Sequence, residues 1–118
     1  MDLASKLQIK PGRSVAVVDA PSGVEITLPA GSSAADPAAA DAVIAFVRTA
    51  AELAARAGPA IDAGRQDRLA WVAYPKAGRL GTDLNRDRLR DALLELGVQP
   101  VRQVAIDDVW SALRIRPA

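Results

Sequence analysis

The 118-residue chain contains no cysteine and no histidine. Without cysteine it has no disulfide, no thiolate nucleophile and no sulfur ligand for a metal, a composition typical of proteins from a reducing cytoplasm. Without histidine it cannot assemble a Ser-His-Asp triad, a histidine-ligated zinc site or an imidazole proton shuttle. Several common kinds of catalytic centre are therefore excluded.

Aromatic residues, net charge and long apolar runs are also scarce. The aromatic residues are Phe46, Trp71, Tyr74 and Trp110, too few to form a stacking platform for nucleic acid. Fifteen basic and fourteen acidic residues leave a net charge of +1, so no field steers the chain toward phosphate polymers or anionic membranes. No apolar run approaches the roughly 20 residues that cross a bilayer, and Met1–Lys6 does not begin a secretion signal. We predict a cytoplasmic protein with no nucleic-acid partner and no membrane partner.

Short apolar runs bounded by Pro, Gly and Asp alternate with helical patterns along the chain. The predicted strands are Ser14–Ala20, Val24–Leu28, Asp41–Val47, Leu69–Pro75, Val98–Ile106 and Trp110–Arg116. The predicted helices are a short turn within Leu3–Ile9, Arg48–Ala57, and a helix that is capped by Thr82 or Asp83 and ends at Gly97. Ala30–Ala40 and Asp62–Arg68 are predicted connections.

Strands that alternate with helices predict right-handed crossovers and a parallel sheet covered by helices. We therefore predict one α/β domain, with a mostly parallel sheet of four to five strands and helices on its faces. The last strand must turn back at Asp107–Val109, which predicts an antiparallel strand at the C-terminus.

Polar residues follow these strands at their carboxyl ends, which share one edge of a parallel sheet. Arg48 follows one strand, and the candidate ligand-binding residues are Asp19, Lys76, Asn85, Arg86, Asp107 and Asp108. Lys76 supplies a positive point charge, and the planar guanidinium of Arg86 can donate two parallel hydrogen bonds to an anion. The set therefore suits a small anion that carries hydroxyl groups. The alternative is structural: Lys76 pairs with the aspartates at the surface, Asn85 caps a helix, and the aspartates form a turn.

Other chemistries are weakly supported. Asp19, Asp107 and Asp108 offer oxygen ligands suited to magnesium, but their spacing matches no metal-binding loop, and we predict no metal. The Lys76–Gly81 segment lacks the residue order of a phosphate loop. The serines, Ser111 among them, have no imidazole base, so no catalytic residue is assigned.

The last strand provides a separate set of candidates for interaction, namely Trp110, Arg114 and Arg116. Its alternation places Leu113 and Ile115 on one face and these three residues on the other. Trp110 either fills a gap under the sheet or anchors a partner. If this strand lies at the sheet edge, it is open to self-association or to a protein partner.

Motifs across nearly the whole chain resemble a family of small bacterial proteins of unknown function. The most specific ones are Tyr74-Pro-Lys76, Asp83-Leu-Asn-Arg-Asp87 and Asp107-Asp-Val-Trp-Ser-Ala-Leu-Arg114. This family is in turn similar to a shortened class I methyltransferase core, so the resemblance implies a single Rossmann-like domain over residues 1–118, ending in an antiparallel hairpin. A methyltransferase has a Gly-x-Gly-type turn after its first strand, whereas this chain has Asp19-Ala-Pro-Ser-Gly23 there. We predict no cofactor.

Two hypotheses about function follow. The first is a non-catalytic binding or interaction module on a degenerate methyltransferase-like scaffold. The second is a small enzyme or binding protein for an anionic metabolite, which uses the polar residues at the carboxyl edge of the sheet. The sequence leaves open whether the protein is an enzyme.

Overall fold

The computed structural model describes residues 3–24 and 26–118. The helices are α1 (Leu3–Lys6), α2 (Ala50–Arg56), α3 (Gly58–Arg65) and α4 (Arg86–Glu95). The strands are β1 (Ser14–Val18), β2 (Ser33–Ala34), β3 (Ala42–Phe46), β4 (Leu69–Pro75), β5 (Val98–Ala105) and β6 (Trp110–Pro117). The predicted α/β class is confirmed.

The described strands form one mixed sheet in the order β2-β1-β3-β4-β6-β5. β1, β2, β3 and β4 are parallel, and β6 pairs antiparallel with both β4 and β5. β5 therefore runs in the same direction as β1 to β4. The expected four to five strands become six because a two-residue strand, β2, forms within the predicted connection Ala30–Ala40. The predicted C-terminal antiparallel strand is present, but it lies inside the sheet.

β3 and β4 form the centre of the sheet because their side chains are apolar on both faces. In β3, Val43 and Ala45 belong to one core cluster, while Ile44 and Phe46 belong to the other. The first cluster lies under α2, α3 and α4, and the second lies under α1 and the chain that follows it. Trp71 is fully buried in the second cluster, where its indole Nε1 donates to the Leu7 carbonyl at 2.9 Å. The buried indole is thereby satisfied.

Two of the predicted elements are wrong. Asp62–Arg68 was expected as a loop, but α3 extends through Arg65, with proline at the start of the helix, where its missing N–H costs nothing. The helix packs so closely on the sheet that a Cβ on Gly64 would lie 2.9 Å from the Ile115 side chain. Val24–Leu28 does not form the expected strand: its described apolar residues pack partly buried against the second cluster, and Glu25 lies outside the described residues.

The start of α4 also differs from the expectation. Asn85 caps α4 by accepting a hydrogen bond from the Arg88 amide, as in the structural alternative, whereas the helical pattern predicted Thr82 or Asp83 as the cap. Asp83 instead accepts from the Ala50 amide at 3.0 Å, so it supports the start of α2. The predicted role of Gly97 is confirmed, because it follows the α4 cap with a left-handed φ of 85°.

The ends of the strands lie at two opposite edges of the sheet. The carboxyl edge holds the ends of β1, β3, β4 and β5 together with the start of β6, and the amino edge holds the opposite ends of these strands. In the described part of the chain, no helix is both long enough and apolar enough to span a bilayer.

Candidate functional site

A cleft opens at the carboxyl edge between the end of β4 and the start of α4. Its volume is about 410 Å³. We call it the carboxyl-edge cleft, and it is lined by Tyr74, Lys76, Ala77, Asn85, Arg86, Asp87, Gln103 and Ser111. Three of the six predicted ligand-binding residues, Lys76, Asn85 and Arg86, therefore lie together.

Two buried hydroxyl groups form part of the cleft wall. Tyr74 and Ser111 are direct partners in the β4–β6 ladder, so their side chains share one face of the sheet. They are 3% and 4% exposed. Neither hydroxyl forms a hydrogen bond with a described residue, and neither oxygen is sealed from solvent. Because both oxygens can be reached from the cleft, they can pair with water or with a ligand.

The Tyr74 phenol responds to this environment. Burial raises its pKa above the ordinary value of 10.0, while the positive charge of Arg86 acts in the opposite direction. Burial favours the uncharged form, and a nearby cation favours the phenolate. The neutral phenol can therefore donate a hydrogen bond into the cleft at physiological pH.

The two cations of the cleft have no carboxylate partner in the described structure. Lys76 is half-buried and Arg86 is exposed, and neither belongs to a salt bridge. The predicted alternative of an ion-pair network between Lys76 and the aspartates is therefore wrong. The main chain of Lys76 is fixed, because its amide donates to the Val109 carbonyl at 2.7 Å.

Asn85 caps α4 and also lines the carboxyl-edge cleft. Its side-chain oxygen accepts from the Arg88 amide at 2.9 Å, which confirms the helix-capping alternative. Its side-chain nitrogen donates to no described residue and remains a donor in the cleft. The ten-residue helix α4 adds the partial positive charge of its N-terminus.

The other three predicted ligand residues lie elsewhere. Asp107 is a turn residue, since its Oδ1 accepts from the amides of Val109 and Trp110 at 2.8 and 2.7 Å. Asp107 and Asp108 do not line the cleft, and Asp19 belongs to a separate depression at the end of β1. No three acidic residues in the described part of the chain come together as a metal-binding group.

A class I methyltransferase binds S-adenosylmethionine at the end of its first strand, where this chain has a separate depression. It has a volume of about 430 Å³ and includes Asp19, Ala20, Pro21 and Arg48. A Gly-x-Gly turn lets the backbone approach a ligand closely, whereas here the side chains of Ala20 and Pro21 line the wall, and Pro21 has no amide to donate. The residues present do not fit the cofactor.

The interaction candidates on β6 are placed differently from the expectation. Trp110 is 4% exposed and packs edge-on against Phe46 with 5.3 Å between ring centroids, so the packing alternative holds. Arg116 forms an exposed bidentate ion pair with Asp67, in which Nε donates to Oδ1 at 2.9 Å and Nη2 donates to Oδ2 at 3.1 Å. This hydrogen bonding lowers the pKa of Asp67. Arg114 lines a cleft at the amino edge.

The expected open edge at β6 is wrong, because β6 pairs on both sides. The outer strand is β5, and its pairing is interrupted by an irregularity between Pro100 and Arg102. Proline, a bulge and a charged residue on an outer strand all oppose the addition of another strand.

No protein-family model matches the chain, and no curated protein matches it.

Sequence reasoning missed Tyr74, Gln103 and Ser111 as members of the cleft. The sequence pattern places Tyr74 inside a predicted strand. It gives Ser111 no imidazole base and so no catalytic role. The antiparallel pairing of the last strand with β4 was the signal that would have joined them, because it places Ser111 opposite Tyr74.

Proposed function

We propose that this protein is a non-catalytic binding module for a small hydroxylated anion, built on a methyltransferase-like scaffold. One observation carries the proposal: the carboxyl-edge cleft combines two cations without a carboxylate partner and two hydroxyls without a hydrogen-bond partner among the described residues. A ligand with an anionic group and hydroxyl groups complements both features.

The anionic group belongs between Lys76 and Arg86. A guanidinium binds a phosphate or carboxylate with two parallel hydrogen bonds, and an ammonium adds a point charge. The α4 N-terminus and the free side-chain nitrogen of Asn85 act in the same direction. Asp87 also lines the cleft, and its carboxylate is an acceptor for a ligand hydroxyl.

The hydroxyl groups of the ligand belong against Tyr74 and Ser111. Both oxygens can be reached from the cleft, so a ligand hydroxyl can take the place of water as their hydrogen-bond partner. The cleft volume of about 410 Å³ lies in the range of small-molecule sites. A sugar phosphate has the required size and chemistry.

The sheet supports the choice of scaffold. A class I methyltransferase core is expected to end in an antiparallel hairpin, and here β6 returns antiparallel between β4 and β5. The proposal is restricted to binding because the chain has no histidine and no cysteine, the side chains that most readily exchange protons near neutral pH.

The test is a titration of ¹⁵N-labelled protein with ribose 5-phosphate, followed by heteronuclear NMR. We expect saturable shifts of the amides at the start of α4, and weaker responses to ribose or to inorganic phosphate alone. Arg86→Gln should weaken the affinity about tenfold or more, because it removes a charge-assisted hydrogen bond.

Arg90→Gln is the matched control. It removes the same charge from the same helix, one turn further along, where Arg90 does not line the cleft. Its affinity should equal that of the unmodified protein. The proposal fails if ribose 5-phosphate gives no saturable shift, or if both variants lose affinity equally, which would indicate charge attraction without a site.

A further inference from the structure

A second cleft lies at the amino edge of the sheet, opposite the carboxyl-edge cleft. It includes Ala42 and Leu69, the first residues of β3 and β4. Its volume is about 440 Å³. We call it the amino-edge cleft, and its polar lining residues are Gln8, Lys10, Arg13, Asp41, Arg68 and Arg114.

The charges of this cleft are unbalanced. Four cationic side chains face one carboxylate, that of Asp41. This carboxylate already accepts from the amide and the hydroxyl of Ser14, at 3.0 and 3.2 Å, and it forms no salt bridge with a described cation. The cleft therefore has a positive charge that the described residues do not neutralise.

Arg114 is the cation in the least favourable position. It is half-buried on β6, and its Nη1 donates to the side-chain oxygen of Gln8 at 2.6 Å. Its Nε is sealed from solvent without a hydrogen-bond partner, and no carboxylate pairs with it among the described residues. The charge of Arg114 helps to lower the pKa of Asp67, but this carboxylate is ion-paired with Arg116 and does not line the cleft. Burying part of a guanidinium costs free energy, and an anion in the cleft would add attraction to its positive charge.

Arg68 holds a second charge in a fixed position. Its Nη1 donates to the carbonyls of Pro37 and Ala40, at 3.0 and 2.6 Å, and its Nε donates to Gln66 at 2.9 Å. These partners are neutral oxygens, so they position the guanidinium without cancelling its charge. A fixed positive field needs little reorganisation to receive an anion.

We propose that the amino-edge cleft binds a phosphate-type oxyanion, free or as part of a metabolite. Arg114 and Arg68 supply the fixed positive charge. The exposed side chains of Lys10 and Arg13 lie at the rim, where they are free to contact the anion. This inference is independent of the ligand proposed for the carboxyl-edge cleft.

The test is a titration of ¹⁵N-labelled protein with inorganic phosphate at constant ionic strength, with chloride as the compensating anion. We expect saturable shifts of the Arg114 Nε–Hε signal and of the Asp41 and Ala42 amides. Arg114→Gln should weaken the affinity about tenfold or more. Arg79→Gln, which removes an exposed charge outside both clefts, should leave it unchanged. The amides at the start of α4 report the carboxyl-edge cleft separately, so the two proposals fail separately.

A rim variant keeps the test valid if Arg114→Gln does not fold. Arg13→Gln removes an exposed charge from the cleft and should weaken phosphate binding several-fold, whereas the exposed Arg79→Gln should not. A second titration uses glycerol 3-phosphate in place of inorganic phosphate. Tighter binding of glycerol 3-phosphate would indicate a phosphate group carried by a metabolite, and tighter binding of inorganic phosphate would indicate the free ion. Absence of a saturable shift in the unmodified protein overturns the inference, as does equal weakening by Arg13→Gln and Arg79→Gln.

Discussion

The two clefts lie at opposite ends of one sheet and differ in how their cations are held. At the carboxyl edge, Arg86 is exposed and no described carboxylate pairs with it. At the amino edge, Arg68 is half-buried and bonded to two backbone carbonyls. The first arginine is available to a ligand and contributes little to folding, whereas the second is part of the fold.

Because their cations are held differently, the two clefts should respond differently when a charge is removed. A charge removed at the carboxyl edge should change ligand affinity and leave the free energy of unfolding unchanged. A charge removed at the amino edge should change the free energy of unfolding, and only the rim residues there should report binding alone. The following predictions test this distinction.

The largest effect is expected for Arg68→Met. Methionine keeps the apolar stem but leaves the carbonyls of Pro37 and Ala40 without their charged donor, so the free energy of unfolding should fall by about 2–4 kcal/mol. Urea denaturation measures the change. Arg86→Met, the control, should stay within about 0.5 kcal/mol of the unmodified protein. Equal losses in the two variants would contradict the distinction.

A smaller effect is expected at Asn85, which both caps α4 and lines the carboxyl-edge cleft. Asn85→Ala removes the cap and should lower the free energy of unfolding by about 1 kcal/mol. Asn85→Asp keeps a capping oxygen and should preserve stability, but its negative charge should weaken the binding of ribose 5-phosphate. If Asn85→Asp binds as tightly as the unmodified protein, Asn85 does not face the anion.

Asp41 predicts a pH dependence at the amino edge. The hydrogen bond from the Ser14 amide lowers the pKa of Asp41 below its ordinary value of 3.8. A lowered pKa adds stability above the ordinary value, and this stability is lost as the pH falls through the lowered pKa. Denaturation curves below about pH 4 should therefore lose less stability in Asp41→Asn than in the unmodified protein. An identical acid dependence in the two proteins would contradict this role.

Tyr74 predicts the corresponding effect at the carboxyl edge. Because its pKa is raised above 10.0, the neutral phenol adds stability that is present below this value and lost at higher pH. Tyr74 is the only tyrosine, so ultraviolet titration reports it directly. Arg86→Gln should raise the pKa further, and Arg114→Gln should not change it. A shift in both variants, or in neither, would show that Arg86 does not face the phenol.

The sequence predicted the strands that are most deeply buried. β3, β4 and β6 follow from apolar runs, because a central strand needs apolar side chains along its length. α3 was missed because Gly58, Pro59 and Gly64 indicate loops locally. Tertiary packing overrides this local signal, since Gly64 lets the helix approach Ile115.

The candidate site was predicted only in part, for a similar reason. Topology brings Lys76, Asn85 and Arg86 together, and a strand-end argument can anticipate that. For Asp107 the structural alternative holds, because its side chain turns back to its own backbone. In the amino-edge cleft, Gln8 contacts Arg114, although the two residues lie near opposite ends of the chain. A local sequence pattern therefore cannot predict this cleft.

The central claim is that the carboxyl-edge cleft binds a hydroxylated anion through Arg86 and the Tyr74 hydroxyl. Because Tyr74 is the only tyrosine, protein labelled with ¹³C at the tyrosine ring carbon that bears the hydroxyl gives a single signal for this site. We predict that ribose 5-phosphate shifts this signal saturably in the unmodified protein and in Arg114→Gln, whereas Arg86→Gln needs about tenfold or more ligand for the same shift. A signal that stays unmoved in the unmodified protein, or moves equally in Arg86→Gln, would contradict the claim.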